Sequence, residues 1–284
     1  MVNHMKHPRW FGRRRSRLRA RPSQTSQAVA VVRAGLQRPH TPDGDATAQA
    51  RLCAGMPPVG ALEQRAHLAA RTEFFDEQVL AALDGGIGQV VILGAGYDDR
   101  ALRFRAPGVA YFELDHPVTQ ADKRRRLTRM HADLDGLTLA GADFRYDHVG
   151  PVLAAAGHDL GRPSLFLCEG LLVYLDQEAL AGLLSALRSR AAPGSRLAVS
   201  LAIHPDGLDS AVVAARANAR RPNGAAEPWR TILPVAAQLR LIARAGWSPS
   251  APVSDAAFGT GAPGRSVLVT ARPAATSGDR AGAA

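Results

Sequence analysis

Four short stretches of the chain combine residue types that can hold a ligand. The first is Leu93-Gly94-Ala95-Gly96-Tyr97-Asp98-Asp99-Arg100, directly after the β-branched run from Gln89 to Leu93. Gly94 and Gly96 permit a tight turn and close approach of backbone to ligand, as in nucleotide-binding glycine loops, but position 99 is Asp where a third glycine would stand. Two carboxylates beside the glycines repel a pyrophosphate and so disfavour a dinucleotide. A nucleoside that carries a sulfonium and an ammonium in place of phosphates tolerates them. A glycine turn without a ligand is the plainer alternative.

The second stretch, Tyr111-Phe112-Glu113-Leu114-Asp115, closes on an acid 19 positions after Gly96. An acid at about that spacing accepts hydrogen bonds from ribose hydroxyls; as a helix cap before Pro117 it would need no ligand. The third is Asp143-Phe144, where a carboxylate can accept from an adenine amino group while the neighbouring backbone and ring hold the base. An Asp in a loop also serves as a turn former. In the fourth, Glu169 interrupts the apolar run from Leu165 to Leu175. A charge there is costly to bury without a partner, so it pairs with a cation or faces a pocket floor. Arg71 shares a helical stripe with Leu68, Phe75 and Val79 and needs an anion in turn. An internal acid such as Asp98, or the carboxylate of an amino-acid ligand, would serve.

Alternating strands and helices position these residues. Apolar steps of three and four predict a helix over 61–83, ended by Gly85-Gly86. Strands are predicted at 89–93, 109–114, 137–142, 164–168 and 196–203, with helices near 118–130, 147–156 and 176–191 between them. That order implies an open α/β sheet of parallel strands with helices on both faces. A helix over 234–245 and strands at 247–253 and 265–271 follow. The last two are joined too closely for a helical crossover, so they form an antiparallel hairpin at the sheet edge. The whole is the topology of class I methyltransferases, Rossmann-like, with a mostly parallel seven-stranded sheet. In such sheets ligands sit at the carboxyl ends of the strands, where all four stretches fall.

The net charge of +10 looks like a nucleic-acid signature until it is located. Eight cations and no acid lie within residues 1–21, which leaves 27 cations against 25 acids in the remainder. Residues 1–24 therefore read as a basic disordered arm, 25–272 as the folded domain and 273–284 as a disordered tail. The apolar run after the arginines, Ala28 to Val32, is too short for a signal peptide, and no stretch is long enough for a membrane span. Cys53 and Cys168 form no CxxC, so neither a disulfide framework nor a metal site is expected, and the expected compartment is cytoplasmic.

The runs Ala70-Arg71-Thr72-Glu73-Phe74-Phe75-Asp76, Gln89 to Ala101, Phe112-Glu113-Leu114-Asp115-His116-Pro117 and Glu169-Gly170-Leu171-Leu172-Val173-Tyr174-Leu175 together resemble the leucine carboxyl methyltransferase family, and most closely its bacterial branch. The resemblance spans about residues 25–272. It implies S-adenosyl-L-methionine as cofactor and methylation of oxygen, mostly in carboxyl groups, with a small-molecule acceptor that includes polyketide-type metabolites. It also implies that Arg71 clamps the methionine carboxylate, Gly94 and Gly96 admit the cofactor to the backbone, Asp115 binds the ribose, Asp143 and Phe144 meet the adenine, and Glu169 lines the methionine end. Phe144 stands where the family has Leu. No motif transfers to the acceptor half, so catalytic residues stay unassigned. A hydroxyl acceptor would need a base, for which His204 is the best placed, with a solvent-exposed turn residue as its plainer role. Three rivals are a nicotinamide oxidoreductase, a noncatalytic cofactor-binding relative, and a nucleic-acid methyltransferase using the basic arm, which the nearly neutral body disfavours.

Overall fold

The computed structural model describes residues 21–58, 65–221, 223–254 and 265–275. Its centre is a sheet of β1 (Gln89–Leu93), β2 (Ala110–Asp115), β3 (Leu137–Gly141), β4 (Ser164–Cys168), β5 (Arg196–Ile203), β6 (Trp247–Pro249), β7 (Val253–Ser254) and β8 (Arg265–Pro273). The order is β3-β2-β1-β4-β5-β8-β6, with the short β7 paired to β8. β1 to β5 run parallel, and β8 is antiparallel to both β5 and β6.

Side-chain alternation divides the core between the two faces. Val91, Leu93, Phe112, Leu114, Phe166, Cys168, Leu197 and Val199 face α6 (Val149–Ala155), α7 (Gln177–Arg188) and α9 (Val235–Arg244). Val90, Ile92, Tyr111, Leu165, Leu167 and Ala198 face α3 (Arg65–Asp84) and α4 (Arg100–Arg103). Strands buried on both faces read as unbroken apolar runs, which is why β1 and β4 were legible end to end. α5 (Pro117–Arg129) starts with Pro117 at its first turn, and its N-cap is His116, not Asp115.

The expected terminal hairpin exists, but its second strand lies inside the sheet. β8 pairs with β5 from Leu197↔Ala271 to Ile203↔Arg265 and carries β6 on its other side. Val267, Leu268 and Val269 are buried in succession, as an interior strand requires, whereas Pro249 and Pro252 confine their strand to the edge. Pro249 pairs with Ala271 and Val253 with Leu268, so the edge carries one residue more than β8 over this interval, a bulge that separates β6 from β7.

The predicted 61–83 helix is described from Arg65, its first four residues lying outside the described ones. Four helices had no counterpart in the sequence reading: α1 (Gln24–Ala34), α2 (Ala48–Leu52), the short α4 and α8 (Ser210–Arg220). Of the span read as an arm, residues 1–20 lie outside the described ones, while Ser23 caps α1 and Gln24 is its first residue. Pro273, read as the start of a tail, pairs with Trp247, and residues 276–284 lie outside the described ones. α1 and α2 pack through Ala30, Ala48, Leu52 and Cys53 on Tyr97, Leu102 and Leu127, so the N-terminal segment covers the glycine turn. Both cysteines are free and buried. Among the described residues no helix is long and apolar enough to cross a membrane, and no three metal-ligating side chains cluster.

Candidate cofactor site

Strand register assembles the site. Leu93 pairs with Leu114 on one side and with Cys168 on the other, so the next residues, Gly94, Asp115 and Glu169, form one row across the carboxyl ends of β2, β1 and β4. Strand order reverses at β1, which makes this row the switch point where open α/β sheets bind ligands.

The chain turns through Gly94 at φ 65° and Gly96 at φ 49°, a region costly to residues with a Cβ. Both turns are also covered. A Cβ on Gly94 would stand 3.1 Å from the side chain of Leu171, and one on Gly96 only 2.7 Å from Cβ of Ser26 in α1. Asp115 holds the turn from the next strand, its Oδ2 accepting from the Gly96 amide at 2.5 Å and its Oδ1 from the His116 amide at 2.6 Å. Burial pushes its carboxyl above the ordinary Asp value, against the pull of these two amides.

The Glu169 side chain is buried and paired with three guanidinium groups: Arg33 Nη2 at 2.5 Å, Arg100 Nη1 at 2.8 Å and Arg71 Nε at 2.9 Å. Burial alone would raise its pKa; Arg33, Arg100 and Arg71 overcome that and hold the carboxyl well below the usual carboxylate range. Asp98, the internal partner expected for Arg71, instead binds Arg100 at 2.5 Å and Arg33 at 3.3 Å. Asp99 pairs with Arg38 at 2.6 Å and Arg103 at 2.7 Å, and Asp76 with Arg38 and Arg100. Asp98 and Asp99 therefore do not repel a pyrophosphate as their place beside the glycines suggests. Both are buried in ion pairs, and neither offers a free charge to the turn.

This network joins the guanidinium groups of Arg33, Arg38, Arg71, Arg100 and Arg103 to the carboxylates of Asp76, Asp98, Asp99 and Glu169, which leaves one positive charge over. The surplus falls on Arg71. Only its Nε is bonded, and neither Nη makes a hydrogen bond among the described residues; they lie over Gly170, beside Glu169 in the row.

Asp143 sits two residues beyond β3. Its carboxylate is forked to Arg145 at 2.9 and 2.7 Å, and the His116 ring lies 3.8 Å away. Burial raises that carboxyl, and the Arg145 hydrogen bonds more than offset it, holding it below the ordinary value. Phe144 packs partly buried against the core under β2 and β3. His204 is buried rather than exposed: Nδ1 donates to the Pro205 carbonyl at 2.7 Å, which leaves Nε2 to accept from the Ser210 hydroxyl at 2.8 Å.

Sequence reasoning missed α1 and the loop that pins it. Ser23 accepts from the Ser26 amide at 3.1 Å, and the Glu227 carboxylate accepts from the amides of Gln24 at 3.0 Å and Thr25 at 3.3 Å. An anion at a helix N-terminus satisfies amides that have no partner within the helix. A usable signal lay in the short apolar run ending at Arg33: Ala30 and Arg33, three apart, are the buried residues of α1.

Residues 8–188 match the family described as leucine carboxyl methyltransferase. An S-adenosyl-L-methionine-dependent methyltransferase, so named, of Mycolicibacterium paratuberculosis is 41% identical over 142 residues, 49% of this chain and 45% of that protein. One of Streptomyces avermitilis is 34% identical over 203 residues, 69% of this chain and 64% of that protein. The chain spans about half the length of the first curated relatives it matches. Among solved structures, a protein named as a methyltransferase from Thermobifida fusca superposes with TM-score 0.55 at 17% identity, over 90% of this chain and 96% of its own. Magnesium protoporphyrin IX methyltransferase from Synechocystis, solved with bound SAH, gives 0.51 at 15% identity, over 79% and 92%. These two likenesses speak for the class I methyltransferase fold alone. The family match covers more than half of the chain, including the glycine turn, Asp115 and Glu169, and the chain belongs to the leucine carboxyl methyltransferase family.

Proposed function

We propose that the protein binds S-adenosyl-L-methionine across the Gly94, Asp115 and Glu169 row and methylates a carboxylate oxygen of a small-molecule acceptor. The observation that carries this reading is the pair of Nη groups on Arg71, unbonded among the described residues, on the one surplus charge of an otherwise neutralised network. An amino-acid carboxylate is a planar anion that a guanidinium fork holds through two parallel hydrogen bonds. The residues fit the rest of the cofactor as well. Gly94 and Gly96 keep side chains off the turn, Asp115 retains lone pairs for ribose hydroxyls beyond the two it gives to amides, and Asp143 with Phe144 stands at the adenine end.

When bound, the cofactor supplies a methyl group on a sulfonium: the new O–C bond forms as the S–C bond breaks, the opposite charges cancel, and no proton moves. The protein's part is to hold the acceptor oxygen in line, about 3 to 3.5 Å from the methyl carbon. A carboxylate needs no base, which agrees with His204 having both ring nitrogens committed.

Calorimetry with S-adenosylhomocysteine tests the reading. Arg71→Ala should weaken it by about 2–4 kcal/mol, the range for truncating one member of a hydrogen-bonded charge pair, with Arg71→Lys recovering part. Methylthioadenosine lacks the amino-acid carboxylate and should bind both proteins alike. Equal losses for the two ligands would confine Arg71 to the internal network.

A further inference from the structure

The loop after α8 holds a second arginine in unlike surroundings. Tyr174 closes the 3₁₀ turn Leu172–Tyr174, five residues past Glu169, and Arg221 follows the last residue of α8. The Arg221 guanidinium lies 4.4 Å from the Trp229 ring centre and 5.7 Å from that of Tyr174. Its Nη1 donates to the Glu227 carbonyl at 2.8 Å and to Asn218 Oδ1 at 3.4 Å, and its Nη2 to the Tyr174 hydroxyl at 3.3 Å. All of these acceptors are neutral. Among the described residues no carboxylate pairs with Arg221 and its Nε makes no hydrogen bond.

A half-buried cation without an acid is costly unless an anion arrives. A second observation agrees. The indole N–H of Trp229 is buried with no acceptor among the described residues. The position is continuous with the cofactor row: Ser26 rests on Gly96, the first amides of α1 bind the Glu227 carboxylate, and the carbonyl of the same Glu227 holds Arg221.

Resting on the reading above, we propose that Arg221, held against Trp229 and by the Tyr174 hydroxyl, binds the acceptor's carboxylate through its guanidinium. A neutral oxygen makes a weaker contact with this guanidinium than an anion does. Methylation of that carboxylate abolishes the charge Arg221 holds, which favours release of the ester.

The test uses the full chain saturated with S-adenosylhomocysteine and titrated with benzoate and with methyl benzoate, read by calorimetry and by tryptophan fluorescence. Benzoate should bind at least tenfold tighter than methyl benzoate. Arg221→Gln should abolish that preference and Arg221→Lys restore part of it, with S-adenosylhomocysteine affinity unchanged in both variants. Equal binding of the two probes to the unaltered protein would overturn the assignment without recourse to any variant, as would a benzoate preference that survives Arg221→Gln. Failure of S-adenosylhomocysteine to bind the unaltered protein would instead sink the cofactor reading on which the assignment rests.

Discussion

The arginines around Glu169 and the arginine beside Trp229 solve the burial of a guanidinium in opposite ways. Arg100 is fully buried and spends its charge on Asp76, Asp98 and Glu169. Arg221 is half-buried and, among the described residues, meets only carbonyl, amide and hydroxyl oxygens and two aromatic rings. The first arrangement is a scaffold. It ties α1, α3, the glycine turn and the end of β4 into one unit, and its single surplus charge sits on the arginine nearest the row. The second leaves a whole charge unmatched. The contrast teaches that a guanidinium's readiness for a ligand is set by the acids around it, not by its burial.

Five single substitutions break or sharpen this contrast. The largest effect belongs to Arg100→Ala, which leaves buried carboxylates without their main partner and should cost about 3–5 kcal/mol of stability, read from the urea midpoint. A loss below about 1 kcal/mol would mean that the network is not a scaffold. Acid should act on the same network. The folded state holds Glu169 and Asp98 below their ordinary values, so as pH falls through about 4.5 the unfolded chain takes up protons that the folded one refuses, and stability declines towards lower pH. Glu169→Gln should make that decline shallower in urea titrations at successive pH values.

Next in size, Asp115→Ala should weaken S-adenosylhomocysteine by about 2–3 kcal/mol, since two hydrogen bonds to a charged acceptor are lost. Unchanged affinity in a folded variant would leave Asp115 only as the acceptor for the Gly96 and His116 amides. Gly96→Ala places a Cβ in the left-handed region and against Ser26, with an expected cost of about 1–2 kcal/mol in melting experiments. Adding Ser26→Gly should return part of it, because that removes the atom 2.7 Å away. The smallest effect is expected from Ser23→Ala, about 1 kcal/mol, seen as faster amide exchange within Gln24–Ala34 while β1 and β4 stay protected. Uniform loss of protection would instead make α1 part of the global fold.

Much of the row was legible. Asp115 and Glu169 each end an apolar strand with a charge, and register then aligns them with Gly94. Arg71 stood out as a cation on a core stripe, though its partner proved to be Glu169 rather than Asp98. Asp98 and Asp99 were misread because nearness to the glycines in sequence was taken as nearness to a ligand. The backbone turns into α4 directly after them, and both carboxylates end among arginines from α1, the segment after it and α4.

The sequence by itself determined the alternation of strands and helices, the two glycines of the turn and the family, because apolar period, turn residues and short motifs are local properties of the chain. It determined neither α1 as a cover over the turn nor which acid meets which arginine. Arg33 reaches Asp98 across 65 positions and Arg71 reaches Glu169 across 98, and the Gln24 amide finds Glu227 across 203. Ion pairs at such separations carry no periodic signal. They exist only after the sheet has brought the carboxyl ends of β1 and β4 together and α1 has packed over them, so tertiary structure alone decided which charges are neutralised and which remain for a ligand.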